Sequence, residues 1–152
     1  MVIGQSPNGC AVADINHLLL AFGGRVTGED AVWDTYYYKV FKQSGISKDN
    51  IMRNGIYDSD LESLLGKYFD IKELTNSSQI VETLDRGNPI FVNYLKEEYT
   101  NIYQSHAQVI YGYGQNGHVL VLFDSSLQDY VVWDANDLSH RISYIYEIKG
   151  RK

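Results

Sequence analysis

The chain has 152 residues and a mass of 17.3 kDa, with 13 basic against 19 acidic residues and a net charge of −6. That length fits a single domain over residues 1–152, and a chain of this size buries roughly 68–70% of its unfolded surface, so it folds without a metal or disulfide staple. The acidic balance lacks the basic footprint of a nucleic-acid binder, 44% apolar content with two prolines argues against disorder, and the apolar stretches at 18–22 and 119–123 reach about a quarter of the ~20 residues a membrane span needs.

Met1-Val-Ile-Gly-Gln5 has neither the basic start nor the apolar core of a secretory signal, so the expected location is the cytoplasm, or outside the cell after trimming. Ala11, Val12, Ile15, Leu18, Leu19 and Phe22 recur at helical spacing, and Gly23-Gly24 supplies a stop, which predicts a helix over 10–22. A second helix is expected near 28–43, where acids open an apolar run that includes Val32, Trp33 and Tyr36. Asp58 or Ser59 is the expected cap of a third helix carrying Leu61, Leu64, Leu65 and Tyr68. Ser77 or Ser78 starts a fourth through Ile80, Val81 and Leu84, ended by Gly87-Asn-Pro89.

From Pro89 the texture changes to short β-branched and aromatic runs: 90–94, 107–113, 119–124, 130–133 and 142–148. Gln115-Asn-Gly117 is a hairpin turn, because Asn and Gly tolerate positive φ, and 125–129 is expected to form a second. Hairpin-linked strands pair antiparallel, so the expected fold class is α+β, with a helical first half packed on a C-terminal antiparallel sheet and no repeat or linker.

Cys10 is the single cysteine and follows the turn sequence Pro7-Asn8-Gly9 at the start of the first helix. A thiol there feels the positive end of the helix dipole, which favours the thiolate, although a free cysteine also serves as a small buried hydrophobe. A thiolate nucleophile needs a base. His17 lies about 10.5 Å along the same helix, too far for a hydrogen bond. His118 sits by a hairpin turn and His140 in a polar stretch, whereas His106 opens the strongest strand, where it can be aimed past the sheet edge at a helix terminus. Asp124, at the end of the next strand, fits either a partner for that histidine or a turn cap with Ser125 and Ser126. One cysteine with histidines at 17, 106, 118 and 140 matches no compact ligand spacing, so neither metal nor cofactor is expected.

The order Gln5, Cys10, His106-Ala-Gln-Val-Ile-Tyr-Gly-Tyr-Gly114 and Asp124 after Val119-Leu-Val-Leu-Phe123 resembles the papain-like cysteine peptidases. It is most similar to their compact bacterial bacteriocin-leader peptidase relatives. Asn54-Gly-Ile-Tyr-Asp-Ser-Asp-Leu61 and Arg86-Gly-Asn-Pro-Ile-Phe-Val92 look like that family's connecting elements. The resemblance implies a papain-like fold, a peptide or protein substrate, and a Cys10–His106–Asp124 triad with Gln5 at the oxyanion position. Gln5 stands five residues before Cys10, and Ala11 follows the cysteine where many relatives carry glycine or a large aromatic. Two other readings share this scaffold: a thiol acyltransferase or amidase, and a silent peptide-binding module.

Overall fold

The computed structural model describes residues 10–23, 28–37, 56, 60–95, 105–125 and 127–152. Helix α1 covers Cys10–Ala21, and it stops as expected at Gly23, whose φ of 75° places it in the left-handed region. Helix α2 covers Glu29–Tyr36; the rest of the expected 28–43 helix, like the Asp58 and Ser59 caps, lies outside the described residues. Helix α3, Leu61–Tyr68, runs directly into strand β1, Phe69–Glu73. This strand corrects the expectation of a purely helical first half. Its Phe-Asp-Ile-Lys alternation is the period of a half-buried strand, masked by the helix-spaced leucines just before it.

Helix α4 follows at Gln79–Asp85, then β2 at Ile90–Leu95, β3 at Ser105–Gly114, β4 at Val119–Asp124 and β5 at Asp129–Asp134. The β3–β4 turn has Gln115, Asn116 and Gly117 all at positive φ, and a Cβ on Gly117 would sit 2.9 Å from the Val81 side chain, so that position takes only glycine. A short helix α5, Ala135–Ser139, not anticipated from the sequence, is capped by Asp134, whose Oδ1 accepts from the Asp137 N–H at 2.9 Å. Strand β6 covers Ile142–Arg151.

All six strands pair antiparallel in the order β1-β6-β2-β3-β4-β5. The chain therefore leaves one edge at β5 and returns to the interior, crossing the sheet with Leu138 of α5 buried beneath it. One face carries Phe91, Ala107, Val109, Tyr146 and Ile148 and is covered by α1, α2 and α3. The other carries Ile90, Val92, Tyr94, Ile110, Leu120 and Leu122 and is covered by Ile80 of α4 and Leu138. Val12, Ile15, Leu18 and Leu19 of α1 have no exposed surface. Each contributes roughly 1.5–3 kcal/mol relative to an exposed position, so packing rather than propensity holds this helix on the sheet.

Glu147 of β6 is buried, and it ties the sheet to the turn that precedes β2. Its carboxylate accepts from Asn88 Nδ2 at 2.7 Å and from Arg86 Nη2 at 3.1 Å, while the Ile148 N–H donates to the Pro89 carbonyl at 2.9 Å. Burial alone would raise the Glu147 carboxyl, but the bonds from Asn88 and Arg86 and the charges of Arg86 and Lys149 leave it below its ordinary value. A carboxyl lowered by folding stabilises the native state above its unfolded pKa, and that contribution is lost as pH falls through the folded value. Glu147→Ala is expected to destabilise the protein by about 1.5–3 kcal/mol at neutral pH. In guanidinium unfolding, the gap to wild type should close on acidification below about pH 4.3; a gap that does not vary with pH would show that the contacts act by packing alone.

Candidate active site

Cys10 is the first residue of α1 and half-buried against the helix-side core. Gln5 and the Pro7-Asn8-Gly9 turn lie outside the described residues. What sets the helix along the sheet is His17. Its ring stacks on Phe123 with centroids 3.7 Å apart, and its Nδ1 is 2.7 Å from the Tyr111 hydroxyl. Burial lowers the His17 pKa, which favours the neutral imidazole. With His17 over Phe123, Asp14 falls about 4.5 Å nearer the helix start, beside the end of β4, and Cys10 lies a further turn beyond.

His106 is buried, 7% exposed, and pairs with Tyr94 across β2–β3. Their rings meet edge to face with centroids 5.7 Å apart. Strand alternation sends Ala107 and Val109 to α1, and His106, Gln108 and Ile110 to the face of Tyr94 and Leu122. Its ring therefore lies on the Tyr94 side of the sheet, next to the start of β3. Asp124 closes β4 after Phe123, and its Oδ1 accepts from the Leu127 N–H at 3.4 Å in the turn to β5, so the turn-capping role is present as well. His118 and His140 are exposed, as expected.

Tyr94 is the residue on which these groups converge. Burial raises its phenol pKa far above the usual value, and the charges of Asp124, Cys10 and Asp14 raise it further, with Arg141 partly opposing them. Its hydroxyl donates to Gln108 Oε1 at 3.1 Å, and its ring also meets Trp133 edge to face at 5.3 Å. The phenol therefore stays protonated and sits within the electrostatic reach of the thiol and both carboxyls. It is a polar, uncharged group against the strand histidine.

The family model that matches this sequence is that of the Peptidase C39-like family, over residues 2–151. The chain belongs to the Peptidase C39-like family. No curated protein matches it in sequence. Among solved structures it is similar to the peptidase domain of Streptococcus ComA, a bifunctional ABC transporter involved in a quorum-sensing pathway, with a TM-score of 0.64 at 13% identity over 93% of this chain and 90% of that one. A C39-like peptidase candidate of Bacillus anthracis superposes with a TM-score of 0.61 at 14% identity, over 99% and 93% of the two chains. These likenesses establish the papain-like α+β fold of the family for this chain.

Within this C39-like scaffold, two residues of the neighbourhood went unnoticed in the sequence. Asp14 is fully buried on the apolar stripe of α1, between Ala11 and Ile15; a charged residue on such a stripe was the available signal. Tyr94 carried no signal, because aromatic residues are ordinary in buried strands. His17, through its stack on Phe123 and its contact with Tyr111, is a packing anchor. His17→Ala is expected to lower stability by about 1–2 kcal/mol, from a lost ring pair and a lost hydrogen bond. A stability equal to wild type in thermal unfolding would mean that Tyr111 and Phe123 do not depend on the imidazole.

Proposed function

We propose that this protein is a cysteine peptidase whose nucleophile is Cys10 and whose base is His106. Cys10 Sγ attacks the scissile carbonyl, the carbon becomes tetrahedral, and the negative charge moves to its oxygen. Collapse expels the amine, which leaves with a proton from His106, and an acyl thioester remains on Cys10. His106 then takes a proton from water, whose oxygen displaces the thiolate and releases the acid. Asp124 accepts from the other imidazole nitrogen and holds the ring without taking its proton. The family resemblance assigns the oxyanion donors to the Cys10 backbone N–H and the Gln5 amide, and loss of one such donor typically costs about 2.7–4 kcal/mol.

The observation that carries the reading is the convergence on Tyr94, which has the His106 ring against its own and the charges of Asp124 and Cys10 acting on its hydroxyl. Family membership supports the same chemistry. A specific observation favours a silent peptide-binding module instead: His106 lies on the face away from the body of α1, and Asp124 caps the β4–β5 turn. Thiol chemistry separates the two without a known substrate. In the peptidase, iodoacetamide alkylates Cys10 at pH 6 at least tenfold faster in wild type than in His106→Ala, because the imidazolium holds the thiolate. Cys10→Ala and His106→Ala abolish cleavage of a peptide mixture followed by mass spectrometry, and Asp124→Ala retains partial activity. Equal alkylation of wild type and His106→Ala at pH 6 would reject the peptidase in favour of the binding module.

A further inference from the structure

Strand β5 is one edge of the sheet, and its pairing with β4 settles which way its backbone groups point. Just past the strand, the Ala135 N–H donates to the His118 carbonyl at 2.9 Å, which makes the flanking pair Asp134↔Val119 one whose own N–H and C=O groups turn away from each other. Alternation carries the pattern along the register, so Tyr130, Val132 and Asp134 direct these groups outward. The Tyr130 N–H agrees, since it donates to Asp129 Oδ1, on its own strand, at 2.7 Å. No strand among the described residues pairs with this outer edge.

The side chains of Tyr130 and Val132 lie on the sheet face that α1 packs against. A cross-strand row runs Val109, Phe123, Tyr130, with His17 stacked on Phe123 and the Phe123 and Tyr130 rings 5.7 Å apart. Cover ends there. Val121 and Phe123 are half-buried, whereas Tyr130 and Val132 are 56% and 66% exposed. With Leu127 in the preceding turn they are three of the five exposed large hydrophobic residues among the described residues, gathered over 127–132. Single exposed apolar residues are ordinary, but a group of them on an open edge is a surface that a further strand would cover.

Charge identifies the occupant. Asp129 and Asp134 close the two ends of the apolar tract, both are exposed, and Asp129 stands opposite Asp124 in the register. Like charges directly opposite are unfavourable, so a cation arriving at this end relieves them. A second copy of the chain would instead bring another Asp129 and Asp134 to the seam. We propose that the outer edge of β5 docks an extended segment of another protein in which two alternate apolar residues lie between Lys or Arg ends. Paired antiparallel, like the strands of this sheet, the segment sets one apolar residue opposite Val132, the next opposite Tyr130, and its basic residues opposite Asp134 and Asp129. Main-chain bonds to Val132 supply affinity, and the charged ends fix register and partner. This surface operates whether or not Cys10 is a nucleophile.

The probe is a fluorescent, end-capped hexapeptide, Lys-Thr-Phe-Thr-Val-Lys, titrated with the full chain at low salt and followed by anisotropy. Saturable binding is expected at or below about 1 mM. Glu-Thr-Phe-Thr-Val-Glu should bind at least roughly tenfold more weakly. N-methylation of the Phe should abolish binding, because that N–H faces Val132 in the pairing. Val132→Pro removes an outward N–H and leaves the bonds to β4 in place, so it should fold and lose the peptide; if it does not fold, the N-methylated peptide decides on wild type. The proposal is overturned by no binding of the lysine peptide up to that concentration, by equal binding of the glutamate peptide, by binding that survives N-methylation, or by a folded Val132→Pro that binds like wild type. Concentration-dependent dimerisation in sedimentation that Val132→Pro abolishes would assign the edge to a second copy and overturn it as well.

Discussion

The burial of one helix on one sheet face fixes where the chemistry of this chain can take place. Val12, Ile15, Leu18 and Leu19 are sealed against Phe91, Ala107, Val109 and Ile148, which holds α1 down on this face. His17, stacked on Phe123 and bonded to Tyr111, then sets the position of the helix along the strands. The consequence is felt at the other end, where Cys10 opens the helix close to the start of β3 and the end of β4. A nucleophile at a helix terminus is only as well placed as the body of that helix.

Two buried carboxyl groups show how differently the fold treats the same functional group. Glu147 is surrounded by donors from the turn before β2 and is held ionised, so it serves to lock the sheet to that turn. Asp14 is fully buried without a geometric hydrogen-bond partner for either carboxyl oxygen, and burial raises its carboxyl well above the ordinary value. The first arrangement stabilises the protein, whereas the second disfavours ionisation, and strained or unsatisfied groups concentrate where chemistry is done. Tyr94 extends the contrast, because its buried, protonated phenol reports on the thiol and both acids at once.

The helix over 10–22, the hairpin at Gln115-Asn-Gly117 and the strand runs after Pro89 were legible because each is written in local periodicity and turn chemistry. Strand β1 was not, although Phe69 and Ile71 alternate with charged residues, because five residues form a strand only where a partner such as β6 is available. Helix α5 escaped for a similar reason: one turn of helix is marginal alone, and it is held by the buried Leu138 and the Asp134 cap. Cys10, His106 and Asp124 were legible as candidates from residue type, order and element, and the sequence carried no sign that the Tyr94 ring would meet His106.

By itself the sequence determined the fold class, the helix that Cys10 begins, the strand that His106 opens and the turn that Asp124 closes, since all of these follow from neighbours a few residues apart. Only the tertiary structure decided that β6 inserts between β1 and β2, that His106 lies on the Tyr94 face, and that Asp14 is sealed from solvent. Register and facing are global properties, because a one-residue slip reverses every side chain on a strand and the correct register is selected by two cores at once. The protonation of a buried acid is global in the same way. It depends on which residues distant in sequence have displaced water from around it.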